Sequence, residues 1–279
     1  MKVAVTGASG FIGRYVIEEL GQHQVEIIAV TRNAARLAAL DAAVCVIVMD
    51  ISSPGDDCFN RLGCPDVLIH LAWDGLPNYK SLHHFETELP KQYCFLKGLI
   101  EAGLSSLLVT GTCFEYGMQS GALSEDLVML PNNPYGYAKD ALRKQLEFLK
   151  SVKQFNLAWT RLFYMYGEGQ PGTSLYPKLK EAVLRGERVF KMTGGEQLRD
   201  YLHVSEVARL IVALALRQCN VTVNLCSGEP ISVRRLVEQW IKENGWEIEL
   251  EIGHYPYPDY EPMAFWGERL LLESIVGKR

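Results

Sequence analysis

Two tyrosines and a lysine lie close together in the stretch PYGYAK, at Tyr135, Tyr137 and Lys139. The proline that begins this stretch suits the first turn of a helix. Residues four apart share one face of a helix and residues two apart do not, so Tyr135 and Lys139 are predicted neighbours. A lysine ammonium beside a phenol favours the phenolate and lowers its pKa from about 10. Tyr135 is therefore a candidate general acid or base near neutral pH, and Tyr137 is interpreted as packing or a substrate contact.

A hydroxyl side chain, Thr112, ends the apolar run SLLVTGT at residues 106–112. The run is predicted to be a buried strand, and a hydroxyl at its end could bind a carbonyl oxygen beside the phenol of Tyr135. Thr112, Tyr135 and Lys139 are therefore the candidate catalytic residues, with proton transfer to a carbonyl group as the chemistry that they suit.

A glycine-rich loop, TGASGFIG at residues 6–13, follows the first apolar run and opens the first helical pattern. Gly7, Gly10 and Gly13 would allow a tight turn, a close approach of a pyrophosphate and close packing of the helix on the sheet. The N–H groups and dipole at the start of the helix favour an anion. Because strand and helix fall on the expected sides, the loop predicts a dinucleotide site; a glycine-rich turn without a ligand is the alternative.

The residues after the second predicted strand indicate which dinucleotide is bound. An acid there would bind the ribose 2′-OH of NAD, whereas an arginine accepts the 2′-phosphate of NADP. The sequence reads AVTRN, with Arg32 and no acid, which favours NADP(H) and leaves NAD(H) possible. Arg32 as a solvated surface residue is the alternative interpretation. Asp50, at the end of the third strand, would meet the adenine amino group or cap the next segment.

The elements that must position these residues form a repeating series. Continuous Val/Ile/Leu runs mark strands buried on both faces, and their alternation with helices predicts a doubly wound parallel α/β sheet. The runs lie at residues 2–6, 25–30, 44–50, 66–72, 106–112 and 157–163, with helical patterns at 33–40, 86–102 and 135–153 among them. After Phe163 the chain becomes rich in Gly, Pro and Tyr. Residues 1–165 with 201–217 are predicted to form a Rossmann domain, and 166–200 with 218–279 a smaller C-terminal substrate-binding lobe.

Composition and charge exclude several classes of protein. The 279 residues are 48% hydrophobic and 22% charged with a net charge of −5, which argues against a nucleic-acid binder. No apolar run approaches the roughly 20 residues that span a membrane, and the N-terminus is expected to be a strand rather than a signal peptide. The seven cysteines are scattered and lack C-x-x-C spacing. They are interpreted as buried thiols in a reducing, cytoplasmic setting, with no metal site.

These motifs together resemble the extended short-chain dehydrogenase/reductases of the nucleotide-sugar epimerase/dehydratase superfamily, over nearly the whole chain. In character the chain is most similar to 4-keto-6-deoxyhexose reductases. The resemblance rests on TGASGFIG, HLAW (70–73), TGTCFEYG (110–117), PYGYAK (134–139), TRLFYMYGEG (160–169) and GEQLRDYLHVSEVA (195–208). It implies a homodimer formed through helices 86–102 and 135–153.

The resemblance also implies roles for individual residues. Thr112 would hydrogen-bond the sugar carbonyl, Tyr135 would exchange the proton, and Lys139 would bind the nicotinamide ribose. Arg199 would meet the diphosphate of the sugar nucleotide, and Glu261 would lie near the nucleotide. The implied cofactor-binding residues are Gly7, Ser9, Gly10, Phe11, Ile12, Arg32, Asn33, Asp50, Ile51, Leu71, Ala72, Trp73, Thr110, Tyr135, Lys139 and Leu162. The implied substrate-binding residues are Trp73, Thr112, Phe114, Tyr164, Ser174, Leu175, Arg199 and Glu261.

Departures from the family pattern narrow the reaction. Dehydratases carry two acids after the motif threonine, and Cys113 and Phe114 stand there instead. 3,5-Epimerisation is disfavoured because Phe114 and Ser174 occupy the expected cysteine and histidine positions. Reduction of a 4-keto sugar by NADPH and C4-epimerisation with retained NAD remain, and Tyr164 in place of an asparagine favours the reductase.

The expected substrate is a nucleotide-activated 4-keto-6-deoxyhexose. The nucleotide is expected to be dTDP, with GDP and CDP open. Such a substrate would place the protein in deoxysugar or O-antigen (lipopolysaccharide) precursor biosynthesis. A non-catalytic NADP-binding regulator is the alternative from another class of function.

Overall fold

The structure is a computed structural model that describes residues 1–38 and 42–278. Its strands are β1 (Lys2–Thr6), β2 (Glu26–Thr31), β3 (Cys45–Val48), β4 (Val67–His70), β5 (Ser106–Thr112), β6 (Gly121–Leu123), β7 (Asn156–Leu162), β8 (Tyr164–Tyr166), β9 (Val189–Lys191), β10 (Leu198–His203), β11 (Val221–Leu225), β12 (Pro230–Ser232), β13 (Glu249–Glu251) and β14 (Phe265–Gly267). Its α-helices are α1 (Phe11–Leu20), α2 (Cys58–Arg61), α3 (Leu89–Glu101), α4 (Pro134–Lys150), α5 (Leu175–Leu184), α6 (Val204–Leu216), α7 (Val233–Asn244) and α8 (Leu270–Val276). Short 3-10 helices lie at Ala34–Leu37 and Cys113–Tyr116, and a π-helical turn lies at His84–Glu88.

Seven parallel strands form the central sheet, in the order β11-β7-β5-β4-β1-β2-β3. β1 pairs with β2 on one side and with β4 on the other. β2 and β3 are added on one side of β1, and β4 and the later strands are added on the other side, so the strand order reverses between β1 and β4. In a parallel sheet this reversal opens a crevice at the carboxyl ends of those strands, where ligands bind. The predicted doubly wound parallel sheet is confirmed.

Apolar side chains cover both faces of this sheet. One buried cluster joins α1 and α6 to the sheet, with Val16, Leu20 and Ile211 among its members. The other joins α3 and α4 to the opposite face, around Leu96, Leu146 and Trp159. Burial on both faces explains why the strands read as continuous apolar runs.

Two predicted elements at the β2–β3 edge differ from the structure. The run at 44–50 forms β3, but Cys45, Val46 and Val48 are exposed rather than buried, because β3 is an edge strand beside β2 alone. The helix predicted at 33–40 is a single 3-10 turn, Ala34–Leu37, and residues 39 and 40 of that stretch lie outside the described residues.

Small sheets and an aromatic core lie outside the central sheet, mostly within the residues predicted to form the second lobe. β12, β10 and β8 form one sheet, and β13 pairs with β9. Trp240 of α7 is buried against Tyr166, Tyr176 and Tyr201. One boundary prediction was wrong, because β11, within the range 218–279 assigned to the lobe, pairs with β7 in the central sheet. The rest of the division into domains stays a prediction.

The cysteines only partly match the interpretation as buried thiols. Cys58, Cys113 and Cys226 are buried, whereas Cys45, Cys64 and Cys94 are exposed and Cys219 is intermediate. Exposed positions on an edge strand, in a loop and on a helix surface carry no sequence signal that separates them from buried ones. Within the described residues, none of the helices has both the length and the apolar character needed to cross a membrane.

Candidate active site

A cavity of about 710 Å³ lies between the carboxyl ends of the central strands and the substrate lobe. Its walls are formed by Phe11, Ile12, Thr112, Phe114, Tyr135 and Leu162 from the part of the chain up to the end of β7, and by Tyr164, Ser174, Leu175, Tyr201, Trp240 and Glu261 from the part after β7. The structure therefore brings together residues that are up to 250 positions apart (11 and 261) in one cavity. A cavity of this size is suited to a small-molecule ligand.

The glycine loop is folded tightly against the start of α1. Gly7 has a φ of +69°, and a Cβ there would come within 2.9 Å of the backbone N of Ala72. A Cβ on Gly13 would lie 2.2 Å from the Gly7 carbonyl oxygen. Gly10 is the N-cap residue of α1 and offers no side-chain cap to the first N–H groups. This arrangement keeps the helix N-terminus accessible to an anion in the crevice.

Tyr135 is buried like the other two candidate catalytic residues, with 8% of its surface exposed. Its ring centroid lies 5.2 Å from that of His84 and 5.6 Å from that of Tyr79. Burial raises the pKa of Tyr135 above its usual value, and a hydrogen bond with the Thr112 side chain opposes this in part. The prediction that Lys139 lowers the phenol pKa was wrong for this state of the protein, because desolvation dominates.

Lys139 lies on the same helix face as Tyr135, with Nζ 5.9 Å from the phenol ring centroid. Its Nζ donates to the carbonyl oxygen of Thr110 at 2.9 Å and lies 3.9 Å from the ring centre of Trp73. Burial lowers the pKa of Lys139 to about 7, against the opposing effect of the Glu115 and Glu88 carboxylates. The ammonium is thus held by neighbours other than the phenol, which explains its weak influence on Tyr135.

Tyr137 points away from the cavity, as the helical spacing predicts. More than half of its side chain is exposed, and its ring meets Phe85 edge-on with centroids 5.9 Å apart. It is therefore a surface packing residue and is not placed to contact a ligand in the cavity.

Arg32 lies among acidic groups at the carboxyl edge of the sheet. Its NH1 is 4.0 Å from Oδ2 of Asp74, and both side chains are largely exposed. Asp50 accepts a hydrogen bond from the backbone N–H of Ser52 at 2.9 Å. That bond lowers the pKa of Asp50, and the charge of Arg32 adds to the effect. The capping interpretation of Asp50 is the one that its contacts match.

The other predicted cofactor contacts occupy three places. Asn33 accepts from the backbone N–H of Ala35 and caps the 3-10 turn, while Ser9 bonds the hydroxyl of Thr31 at 3.0 Å. The hydroxyl of Thr110 donates to the backbone of His70. The apolar members pack around the crevice: Phe11, Ile12 and Leu162 on the cavity wall, Leu71 on the α1 side of the sheet, Ala72 against Gly7, and Ile51 and Trp73 on the α3 side.

Among the predicted substrate contacts, Arg199 is placed differently from the expectation. It is 2% exposed and is absent from the cavity wall, where a diphosphate contact would require it. Its NH2 pairs with Glu261 Oε1 at 3.1 Å, and its NH1 donates to the carbonyl of Met263 at 3.1 Å. Glu261 also accepts from the Tyr164 hydroxyl. The sequence could not show that Glu261 would neutralise Arg199, since 62 positions separate them (199 and 261).

Sequence reasoning missed the aromatic side chains that cover Tyr135. Tyr79 and Tyr260 line the cavity, and their ring centroids lie 6.4 Å apart. The carbonyl oxygen of Tyr79 accepts from the backbone N–H of Tyr135 at 3.2 Å. Lys80 pairs with Asp259 at 3.1 Å, so two loops meet beside the cavity. Neither loop has a spacing pattern, and only their richness in Tyr and Pro could have signalled them.

A buried polar chain behind the HLAW motif was also missed. His70 bonds Thr6 through Nδ1 at 2.8 Å and Gln92 through Nε2 at 2.6 Å. Gln92 in turn donates to Glu88 at 2.9 Å. Burial lowers the pKa of His70 to about 3, so the imidazole is neutral and joins β1, β4 and α3 by hydrogen bonds.

One cluster of side chains has the composition of a metal site. Asp74, His83 and Glu88 bring their ligand atoms within 4.8 Å of one another. Glu88 Oε1 already lies 3.6 Å from the ammonium of Lys91, and Asp74 lies beside Arg32. These cations compete for the carboxylates, so the cluster alone does not support a metal ion.

Comparisons with known proteins bear on this arrangement. Residues 3–226 match the sequence model of the NAD dependent epimerase/dehydratase family. The dTDP-6-deoxy-L-talose 4-dehydrogenase (NAD(+)) of Aggregatibacter actinomycetemcomitans is 29% identical, with 96% of this chain and 100% of that protein covered. The dTDP-4-dehydro-6-deoxyglucose reductase of Escherichia coli is 24% identical, with 85% and 79% covered. The solved structure of MoeE5 in complex with UDP-glucose and NAD is 27% identical with a TM-score of 0.82, covering 99% of this chain and 92% of that one.

Proposed function

The chain belongs to the NAD dependent epimerase/dehydratase family and is an NAD(P)-dependent oxidoreductase-type enzyme, and we propose that it reduces the 4-keto group of a nucleotide-activated 6-deoxyhexose. NADPH is the proposed hydride donor and dTDP the proposed nucleotide. The observation that carries this proposal is the enclosed phenol of Tyr135, which lines the cavity together with Thr112 and is walled by the aromatic rings of Tyr79 and Phe114.

The protonated phenol of Tyr135 is suited to donating a proton in a reduction. A nicotinamide dinucleotide, when bound, supplies the hydride for the carbonyl carbon. Tyr135 then donates its proton to the carbonyl oxygen, which Thr112 holds by a hydrogen bond. Because burial raises the pKa of Tyr135, the phenol is protonated at neutral pH, as a proton donor must be. Oxidation would need the phenolate, which this environment disfavours.

The cavity wall beside Tyr135 suits a methyl group. The rings of Phe114 and Tyr79 lie 4.9 Å apart, and those of Phe114 and Tyr135 lie 6.4 Å apart. Cys113 is buried next to them with a pKa that burial raises, so it remains a neutral thiol. A sugar with CH₃ at C6 would bury only apolar atoms against the faces of these rings, so this contact needs no polar partner. The dTDP-6-deoxy sugar named for the 29%-identical relative is consistent with this wall.

Two observations support a second candidate. Asp74 next to Arg32 resembles the acid that binds the ribose 2′-OH of NAD, and the dehydrogenase relative is named for NAD(+). An NAD-linked enzyme acting at C4, including an epimerase that retains its NAD, is the alternative to the NADPH reductase. Intact Thr112, Tyr135 and Lys139 argue against a non-catalytic NADP-binding regulator.

The finer setting of the enzyme is also a proposal. We place it in the cytoplasm, in deoxysugar or O-antigen precursor biosynthesis, because its proposed substrate and product are nucleotide sugars. A homodimer formed through α3 and α4 is supported by the exposed apolar residues Phe148 and Val152 at the end of α4.

The test is turnover of defined substrates. dTDP- and GDP-4-keto-6-deoxyhexoses are incubated with NADPH or NADH, oxidation is followed at 340 nm, and the product is identified by NMR. Stoichiometric formation of one C4 alcohol with NADPH supports the reductase. Interconversion of two nucleotide sugars without net coenzyme consumption, by protein that carries tightly held NAD, would assign the epimerase instead. Coenzyme binding without turnover of any sugar nucleotide would favour the regulator.

A further inference from the structure

A carboxylate without a role in the proposed reaction lies directly beneath the candidate catalytic residues. Glu115, at 0% exposure, is in the 3-10 helix that follows β5. Its Oε1 accepts from the backbone N–H of Thr112 at 2.9 Å and from the indole N–H of Trp159 at 3.0 Å. Its Oε2 accepts from Nε of Arg161 at 2.8 Å. One carboxylate thus ties the end of β5 to two side chains of β7.

The backbone beside Glu115 has no room for a side chain at two glycines. A Cβ on Gly111 would lie 2.3 Å from Glu115 Oε1 and 2.2 Å from Trp159 Nε1. A Cβ on Gly136, in the first turn of α4, would lie 2.5 Å from the Phe114 carbonyl oxygen. The strand that ends in Thr112 and the helix that carries Tyr135 are therefore both packed against the turn that Glu115 closes.

We propose that Glu115 is a positioning residue for the reaction proposed above, on which this inference rests. Its hydrogen bond to the Thr112 backbone fixes the Thr112 hydroxyl beside the Tyr135 phenol. Its negative charge also stabilises the buried ammonium of Lys139.

The charged groups around Glu115 come from three elements. Arg161 faces it from β7, and Arg143 of α4 approaches with Nε at 4.0 Å from Oε2. Lys139 and Tyr135 of α4 both respond to its charge, because the Glu115 carboxylate raises the pKa of each. Glu88, from the π-helical turn, is the other carboxylate that raises the pKa of Lys139. Removing the charge of Glu115 should therefore lower the pKa of the ammonium and of the phenol together.

The substitution Glu115→Gln separates charge from shape. The amide keeps an oxygen that can accept from the Thr112 N–H, but it removes the negative charge. The pKa of Lys139 is measured by NMR in protein with ¹³Cε-labelled lysine, without substrate. We expect it to fall by about one unit, as for the loss of a nearby opposite charge. Glu147→Gln is the matched control, since Glu147 also pairs with Arg143 at 2.6 Å but is exposed, and it should leave this pKa unchanged.

Steady-state kinetics test both the charge of Glu115 and its hydrogen bond to Thr112. The alkaline limb of the pH profile of kcat/KM should move to lower pH in Glu115→Gln, because the Tyr135 phenol and the Lys139 ammonium both act in their protonated forms, whereas a purely structural loss would lower the profile without moving it. Glu115→Ala, which also loses the acceptor for Thr112, should have a kcat about tenfold below that of Glu115→Gln, the cost of one hydrogen bond.

If Glu115→Gln fails to fold with Arg161 unpaired, Glu115→Gln combined with Arg161→Gln provides a neutral pair for the same measurements. A folded variant in which neither the pKa of Lys139 nor the alkaline limb of the kcat/KM profile moves would overturn the proposal. The NMR titration needs no sugar substrate, so it decides the role of the charge even where wild-type protein fails to reduce 4-keto sugars. That failure would count against the proposed function instead.

Discussion

Coenzyme selectivity at Arg32 tests the reductase proposal against its alternative. A charge-assisted hydrogen bond from Arg32 to a 2′-phosphate is worth about 1.5–3 kcal/mol. Asp74 competes for the same guanidinium at 4.0 Å. Two charges at that distance interact by about 1 kcal/mol in water, and solvent screening applies because both side chains are exposed. The difference, about 0.5–2 kcal/mol, predicts that NADPH is preferred over NADH by roughly 2- to 30-fold.

Two substitutions should move this preference in opposite directions. Asp74→Asn frees Arg32 and should raise the NADPH preference by about fivefold, which corresponds to about 1 kcal/mol. Arg32→Asp should abolish or reverse it, because a carboxylate repels the phosphate and suits a free 2′-OH. The assay is kcat/KM for each coenzyme at fixed sugar substrate, repeated at low and high salt, since exposed charges are screened. A wild type that prefers NADH, together with no effect of Asp74→Asn, would refute the assignment of Arg32 to the 2′-phosphate.

Three further outcomes follow from the structure. Tyr135→Phe should lose about 10²- to 10⁴-fold in turnover while coenzyme binding, measured by fluorescence, persists; Tyr137→Phe should behave as wild type, and the reverse ranking would mean that the wrong tyrosine was assigned. Arg161→Met should lower the free energy of unfolding in urea by about 3–5 kcal/mol, because it removes the cation that donates to the buried Glu115 carboxylate; a loss below 1 kcal/mol would contradict that pairing. The folded pKa of Lys139, about 7, lies below the unfolded value of 10.5, so the folded chain binds fewer protons between them. Over that pH range, wild-type stability should rise relative to that of Lys139→Met, and parallel pH curves for the two proteins would show that the ammonium is not desolvated.

The sequence was most informative where a residue's role follows from local spacing. The glycine loop, the strand runs and the shared face of Tyr135 and Lys139 all depend on neighbours within four positions or on simple apolar patterns, and the structure contains each of them. The pKa of Tyr135 was wrong in direction because it depends on burial by Tyr79 and other rings that no local pattern announces.

Long-range pairings were the other part that spacing did not reveal. Arg199 was expected in contact with a diphosphate, but Glu261 and backbone carbonyls hold its guanidinium inside the protein. Asp74 approaches Arg32 across the end of β1, and no spacing rule connects the ends of β2 and β4. Such pairs form only after the sheet has set the order of its strands.

The late position of β11 in the sequence has a consequence for how the protein is made. β7 has β5 on one side and β11 on the other, and β11 begins at Val221, after most of the chain. The strands that carry the glycine loop and the tyrosine motif leave the ribosome before the partner that covers the far edge of β7. Until then that edge offers unpaired N–H and C=O groups to any passing strand. A chain truncated after α6 should therefore self-associate through β7, because it lacks β11 together with the rest of residues 218–279.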